Sequence, residues 1–174
     1  MRYLAVVLVL CVSPLFTIGL YAQSPAPQAT ATCNFDTDKQ MAVEYQRITV
    51  NTKKPVFGHE IPYGRVWAPG GKPMTLFLNS PVTVDGKNIP VGAYTMFVIP
   101  SEKQWTLIVS KQTDTSGTYD EHQDLLRAPM DFGQLPNPEG QFSVYFAHIA
   151  SNQCSMRLDL ADSRAAWAIF QEQK

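Results

Sequence analysis

Two strands in residues 93–111, AYTMFVIPSEKQWTLIVSK, indicate how this chain folds. Residues 93–100 and 104–111 are apolar runs rich in β-branched and aromatic side chains, and the polar residues 101–103 separate them. Runs of this length, bounded by turn-forming residues, are typical of β-strands in a hairpin. The stretch therefore predicts two adjacent antiparallel strands.

Most of the remaining chain has the same period of two. Further strand-like segments occupy residues 41–50, 74–80, 80–90, 124–130, 141–150, 154–160 and 164–170, and Asp85-Gly86 predicts a tight hairpin turn. The one segment with a helical pattern is the single turn at 119–124. About nine or ten short strands with almost no helix predict an all-β fold, either an antiparallel β-sandwich or a partly open barrel.

The N-terminal residues have the pattern of a secretory signal. Arg2 is followed by an apolar run from Leu4 to Leu20 and then by small residues ending at Ala22. This order predicts a signal peptide over residues 1–22, with an uncleaved membrane anchor as the alternative. Residues 23–32 are small, polar and rich in proline, which predicts a flexible linker. Residues 33–174 are then expected to form a single domain.

Export has a consequence for Cys33 and Cys154, the two cysteines beyond the signal. An exported domain folds in an oxidising periplasmic or extracellular compartment, where two cysteines most simply form a disulfide. Two free buried thiols and a metal-binding pair are the alternatives.

Charge composition limits the classes of partner. The chain has 14 basic and 15 acidic residues and a net charge of −1. No basic patch is present, so nucleic-acid binding is not expected. Membrane association is expected only through an uncleaved signal.

Four ordered stretches resemble a bacterial exported family known as domain of unknown function 2911. They are VFGHEIPYGRVW (56–67), DGKNIPVGAYTMFVIP (85–100), QWTLIVSK (104–111) and YDEHQDLLR (119–127). The resemblance implies an all-β domain behind a signal peptide, and it implies no reaction. This chain has Ala68 where the family usually has Arg, and Gly71-Lys72 where it has Ala-Asn. It therefore lacks both members of any polar site that those family residues form.

Residues 59–71, HEIPYGRVWAPGG, contain the strongest candidate for a ligand site. If the segment is extended, Tyr63, Arg65 and Trp67 point to one face, with Lys72 at the rim. Such a face suits a sugar ring or an anion, because a guanidinium offers planar paired donors. The alternative, which is the more common arrangement, places Trp67 in the core with Arg65 packed over an aromatic ring.

An acidic loop supplies weak candidates for a metal site, namely Asp114, Asp120, Glu121 and Asp124. Their spacing does not match a calcium-binding loop, so a solvated acidic loop is the default interpretation. The three histidines have no zinc-binding spacing. No cofactor motif is present, and no cofactor is expected.

We find no motif for nucleophilic catalysis, and enzymatic activity is less expected than its absence. The sequence favours a non-catalytic binding or envelope-associated module whose partner is a carbohydrate or an envelope component. One alternative is a polysaccharide-directed hydrolase, which requires two carboxylates facing each other across a cleft. A further alternative is a structural protein that pairs through a sheet edge, and an uncovered, uncharged edge strand would favour it.

Overall fold

A computed structural model of the chain describes residues 27–51, 53, 56–114, 118–137, 140–160 and 164–173. These residues form eleven β-strands and two short 3₁₀ turns. The strands are β1 (Gln28–Asn34), β2 (Gln40–Gln46), β3 (Met74–Leu78), β4 (Val82–Val84), β5 (Lys87–Ile89), β6 (Gly92–Ile99), β7 (Trp105–Ser110), β8 (Asp124–Gln134), β9 (Ser143–Ala150), β10 (Gln153–Leu160) and β11 (Arg164–Glu172). The 3₁₀ turns are Pro69–Gly71 and Glu121–Gln123.

The strands form one antiparallel sheet that nearly closes on itself, which confirms the all-β fold and decides for a barrel-like architecture. The order is β1-β2-β3-β6-β7-β8-β11-β10-β9, and the β4–β5 hairpin is attached to β11. The two ends of the sheet, β1 and β9, lie next to each other. We call the line along which they meet the seam.

The linker prediction is wrong for residues 28–32, because β1 begins at Gln28. The strand pairs antiparallel with β2, and the register begins with Gln28 opposite Gln46 and ends with Asn34 opposite Gln40. Its small and polar side chains do not prevent pairing, because the ladder uses backbone hydrogen bonds. The predicted signal, residues 1–22, and the first residues of the linker lie outside the described residues. Within the described part of the chain, no helix is long and apolar enough to cross a membrane.

The core lies inside the curved sheet, where alternate residues of each strand point inward. Its largest fully buried side chains include Trp105, Phe142, Phe170, Met41, Met74, Leu76 and Ile89. Polar residues alternate with these positions along the strands, which explains the period of two in the sequence. The predicted hairpin turn is confirmed, since Asp85 and Gly86 adopt φ angles of 51° and 70° between β4 and β5.

The predicted disulfide is confirmed and fastens one end of the seam. Cys33 of β1 is bonded to Cys154 of β10, with 6.4 Å between their Cα atoms. Next to it, the backbone N–H of Asp36 donates to the carbonyl of Ser151 at 3.0 Å. Thr37 donates to the buried carboxylate of Glu172 at 2.7 Å. A disulfide of this kind indicates a non-reducing compartment.

Candidate functional site

The segment containing the predicted ligand face is a series of turns rather than an extended strand. Gly64 has a φ of 71°, and residues 63–65 form a turn and bend. The backbone N–H of Gly64 donates to the carbonyl of Pro100 at 2.9 Å. Within this segment, only Trp67 pairs with a strand, through two backbone hydrogen bonds of 2.8 and 3.1 Å with Val98 of β6. The segment is therefore not extended, and the condition under which Tyr63, Arg65 and Trp67 would share one face is not met.

The four predicted ligand residues have different surroundings. The ring of Tyr63 is half-buried and lies over Gly58, where an added Cβ would come within 2.9 Å of its Cε2 atom. Arg65 is exposed at the bend, and Lys72 is exposed just after the 3₁₀ turn Pro69–Gly71. A ligand-binding role for these residues remains a prediction, and their placement does not support it.

Trp67 belongs to a cluster of aromatic rings at the edge of the core. Its ring centroid lies 5.8 Å from that of Phe57, 5.9 Å from that of Phe142 and 6.4 Å from that of Trp105, each in an edge-to-face arrangement. Rings at these distances and angles stabilise one another beyond the burial of their surface. Trp67 is therefore a packing residue, as the alternative interpretation predicted, whereas the packing of Arg65 over an aromatic ring stays a prediction.

The stretch 119–127 places three of its side chains in one hydrogen-bonded group. The hydroxyl of Tyr119 donates to Oδ2 of Asp124 at 2.7 Å, and Nη2 of Arg127 donates to the Tyr119 hydroxyl at 2.7 Å. Nε of Arg127 donates to the same carboxylate oxygen at 2.7 Å. Asp124 and Arg127 therefore form an ion pair. The group fastens the loop before β8 to the outer face of the sheet, where Tyr119 packs against Phe97.

This environment changes the acidity of Tyr119. Desolvation by burial, followed by the hydrogen bond to Asp124, raises the pKa of Tyr119 from 10.0 to about 12. The hydrogen bond to Asp124 also raises the pKa of Arg127. Both side chains therefore keep their protonated forms to a higher pH than a free tyrosine or arginine does.

Two of the weak metal candidates, Asp120 and Asp124, have local structural roles. Asp120 accepts a hydrogen bond from the backbone N–H of His122 at 3.0 Å and so caps the 3₁₀ turn Glu121–Gln123. Asp120 and Glu121 are exposed, whereas Asp124 is held by Tyr119 and Arg127. Among the described residues, no group of three or more His, Cys, Asp or Glu side chains could hold a metal ion.

A different face of the sheet brings polar and aromatic side chains together. Strands β9, β10 and β11 form a meander in which Arg157 pairs with Tyr145 on one side and with Trp167 on the other. Directly paired residues point to the same face, so the three side chains form a row across the strands. They point outward, because Leu158 and Ala166, their neighbours along β10 and β11, are buried in the core.

Beside this row, the same face has a shallow floor of small residues. Ser155 pairs with Ala147 on β9 and with Ile169 on β11. The resulting groove has a volume of about 530 Å³ and is lined by Tyr145, Phe146, Ala147, Ser155, Arg157 and Trp167. We call it the meander groove. Three of the large exposed apolar side chains lie on this face, namely Tyr145, Ile149 and Ile169.

Arg157 is held in place by a buried carboxylate. Its Nε lies 2.6 Å from Oδ1 of Asp159, and its Nη2 donates to Oδ2 at 2.8 Å. The side chain of Asp159 is only 2% exposed, whereas that of Arg157 is 46% exposed. The guanidinium also lies 5.3 Å from the ring centroid of Tyr145. Asp159 therefore neutralises and orients Arg157, and the outer edge of its guanidinium remains accessible to the groove.

Trp167 is positioned by a glycine on the neighbouring strand. A Cβ added to Gly133 of β8 would lie 3.0 Å from Cη2 of the indole, so the ring lies over the bare backbone at this position. The indole is half-buried and still forms part of the groove wall. A larger residue at Gly133 would displace the ring.

Sequence reasoning missed the meander groove for a physical reason. Alternation in β9, β10 and β11 predicts which residues point outward, but it does not state which of them are adjacent. The short sequence separations between these strands were a usable signal, because consecutive hairpins make sequential strands neighbours. The strand register, including a bulge at Gln153–Cys154, still had to come from the structure.

Comparison with known proteins gives one match. The family described as protein of unknown function (DUF2911) matches residues 25–169, which is most of the chain. No curated protein and no solved structure matches.

Proposed function

The chain belongs to the DUF2911 family, whose description assigns no function, and on this premise we propose that it is a non-catalytic carbohydrate-binding module. The proposed binding site is the meander groove. The observation that carries the proposal is the row Tyr145–Arg157–Trp167 beside a floor of small residues.

The lining of the groove suits a sugar ring. A sugar has apolar C–H faces and a polar rim of hydroxyls, so it needs flat apolar surface with donors and acceptors at the edges. Tyr145 and Trp167 offer rings that end in a hydroxyl and an indole N–H. Arg157 adds planar donors whose direction is fixed by Asp159. Binding sites commonly combine apolar walls with a few oriented polar groups in this way.

The stretches that carry the family resemblance contribute mainly to folding. Trp67 and Trp105 belong to the aromatic cluster, and Tyr119, Asp124 and Arg127 fasten a loop. The residues of the meander groove lie outside these stretches.

Export to the periplasm or beyond the cell is part of the proposal. It is supported by the signal-like residues 1–22 and by the disulfide between Cys33 and Cys154. In that compartment a carbohydrate-binding module meets envelope or extracellular polysaccharide.

No observation favours either of the two alternatives, a hydrolase or a protein that pairs through a sheet edge, over carbohydrate binding. For a hydrolase built on the acidic loop, Asp120 and Glu121 are exposed and Asp124 is bonded to Arg127, so these carboxylates are not poised across a cleft. For pairing through a sheet edge, β1 and β9 carry no lysine and no proline. The two edges lie against each other along the seam, however, so each shields the other.

Isothermal titration calorimetry with cellohexaose and chitohexaose tests this function. The wild-type protein is expected to bind at least one of them, and Trp167→Ala is expected to weaken binding by about tenfold or more. Phe77→Ala is the matched control, because Phe77 is a comparably exposed aromatic residue on β3, outside the groove. Arg157→Lys keeps the positive charge beside the buried carboxylate of Asp159 and removes the planar donor pair. It is therefore expected to weaken binding without leaving Asp159 unpaired.

Two results would overturn the proposal. One is that neither oligosaccharide binds, including at millimolar concentration. The other is that folded Trp167→Ala, checked by circular dichroism, binds as tightly as Phe77→Ala.

A further inference from the structure

The meander groove does not end at Trp167. A second groove of about 200 Å³ lies on the other side of this residue, lined by Val84, Asp85, Gln104, Pro129, Asp131, Trp167, Ala168 and Ile169. Trp167 therefore forms a wall of both grooves. Asp131, which pairs with Trp167 across β11 and β8, extends the outward row beyond the indole. From this continuity we infer that the ligand is a linear, uncharged polysaccharide that lies across the strands and occupies subsites on both sides of Trp167.

This inference rests on the proposed carbohydrate-binding function and specifies its ligand class. The row from β9 through β10 and β11 to β8 crosses three strand spacings, which is about 14 Å. That length exceeds a single sugar ring, so a monosaccharide leaves one of the two grooves empty. A chain of several units fills both grooves and contacts the indole between them.

The charges along the path favour an uncharged chain. In the meander groove, the charge of Arg157 is already balanced by the buried carboxylate of Asp159. In the second groove, Asp131 is exposed and Asp85 lies 3.5 Å from Lys87. A polyuronate would bring its carboxylates close to Asp131, and among the residues that line the two grooves the one cation, Arg157, is already paired with Asp159. Hydroxyl groups, in contrast, donate hydrogen bonds to Asp131 and to the side-chain oxygen of Gln104.

The polar residues of the second groove are suited to bind a further sugar unit. Gln104 precedes β7 and is exposed, and Asp131 lies outward on β8. Between them, Pro129 and Ile169 supply apolar surface at the floor and wall. The second groove therefore repeats the combination of apolar surface and oriented polar groups found in the first.

The test compares short and long oligosaccharides by calorimetry. Cellobiose, cellohexaose, chitobiose and chitohexaose are titrated, with an oligogalacturonate of similar length as the charged probe. The hexamer of the bound series is expected to bind at least about tenfold more tightly than its dimer. The oligogalacturonate is expected to bind more weakly than the hexamer at low salt, where repulsion from carboxylates is strongest.

Variants in the second groove separate the subsites. Gln104→Ala and Asp131→Ala are expected to weaken hexamer binding several-fold and to leave dimer binding unchanged. Both side chains are exposed, so neither substitution is expected to affect folding. Phe77→Ala again serves as the control for an exposed side chain outside the path.

The outcomes distinguish this inference from the proposed function. If dimer and hexamer bind equally and the second-groove variants have no effect, the extended path is wrong and carbohydrate binding at the meander groove stands. If the oligogalacturonate binds more tightly than the hexamer, the inference of an uncharged ligand is wrong, and carbohydrate binding at the meander groove again stands. If no oligosaccharide binds, both the inference and the proposed function are rejected, and a protein partner for this face becomes the next hypothesis.

Discussion

Replacing Cys33 and Cys154 together by alanine is expected to destabilise the protein by about 5 kcal/mol. The disulfide spans a sequence separation of 121 residues, and it holds β1 against β10 at the seam. In the chain-entropy treatment the stabilisation grows with the logarithm of the loop length and reaches about 5 kcal/mol for a loop of this size. Alanine is preferable to serine here, because both side chains are buried and a hydroxyl would add a desolvation cost.

Thermal unfolding followed by circular dichroism measures the effect. For a domain of this size, 5 kcal/mol corresponds to a decrease in Tm of about 10–20 °C. Wild-type protein unfolded with a reductant present is the matched control and should behave like the double variant. The variant itself should be insensitive to the reductant.

Hydrogen exchange then locates the change. Without the disulfide, β1 is hydrogen-bonded as a strand only to β2, and it packs against β9 along the seam without strand pairing. Amides of β1 are therefore expected to lose more protection than those of β7, which lies between two paired strands. A Tm decrease below about 3 °C, or an equal loss of protection in β1 and β7, would refute the idea that the disulfide fastens the seam.

Three further predictions concern the packing and the loop. Because the pKa of Tyr119 is raised from 10.0 to about 12, its contribution to stability is complete below pH 10 and is lost as the pH rises toward 12. Denaturant titrations should show this loss for the wild-type protein and not for Tyr119→Phe. The same pH dependence of stability in both proteins would contradict the prediction. Gly58→Ala is expected to lower the free energy of unfolding more than Gly86→Ala, because both positions have positive φ but only a Cβ at position 58 comes within 3 Å of the ring of Tyr63. The expected difference is about 1–3 kcal/mol. Equal destabilisation by the two substitutions would show that the ring moves aside freely. Trp67→Ala is expected to lower the free energy of unfolding by about 3 kcal/mol, whereas Arg65→Ala should change it by less than about 0.5 kcal/mol. Chemical denaturation measures both values, and similar decreases for the two variants would contradict the separate roles assigned to these residues.

Much of the fold was readable in the sequence, because it depends on local regularities. The period of two identified the strands from β2 onward, and the 3₁₀ turn Glu121–Gln123 lies within the predicted helical turn. The residue pair Asp85-Gly86 predicted its hairpin through the positive φ angles that the turn requires. The two cysteines beyond the signal predicted a bond between residues 33 and 154, because an oxidising compartment leaves few other states for such a pair.

The errors arose where local pattern and tertiary context disagree. Residues 28–32 lack large apolar side chains, yet they form β1 because β2 offers a free row of backbone donors and acceptors. The Tyr-x-Arg-x-Trp alternation around residue 65 would form one face only in an extended segment, and the conformation of Gly64 turns the chain there.

The sequence by itself determined the all-β class, the faces of most strands and the disulfide, since backbone geometry ties these features to residues close in the chain or to a single pair of cysteines. The tertiary structure decided the barrel-like closure and the position of the candidate site. Tyr145, Arg157 and Trp167 are separated by ten residues or more in the chain and become neighbours only through the register of β9, β10 and β11. That register depends on which packing of the whole core excludes water best, and no local pattern encodes this choice.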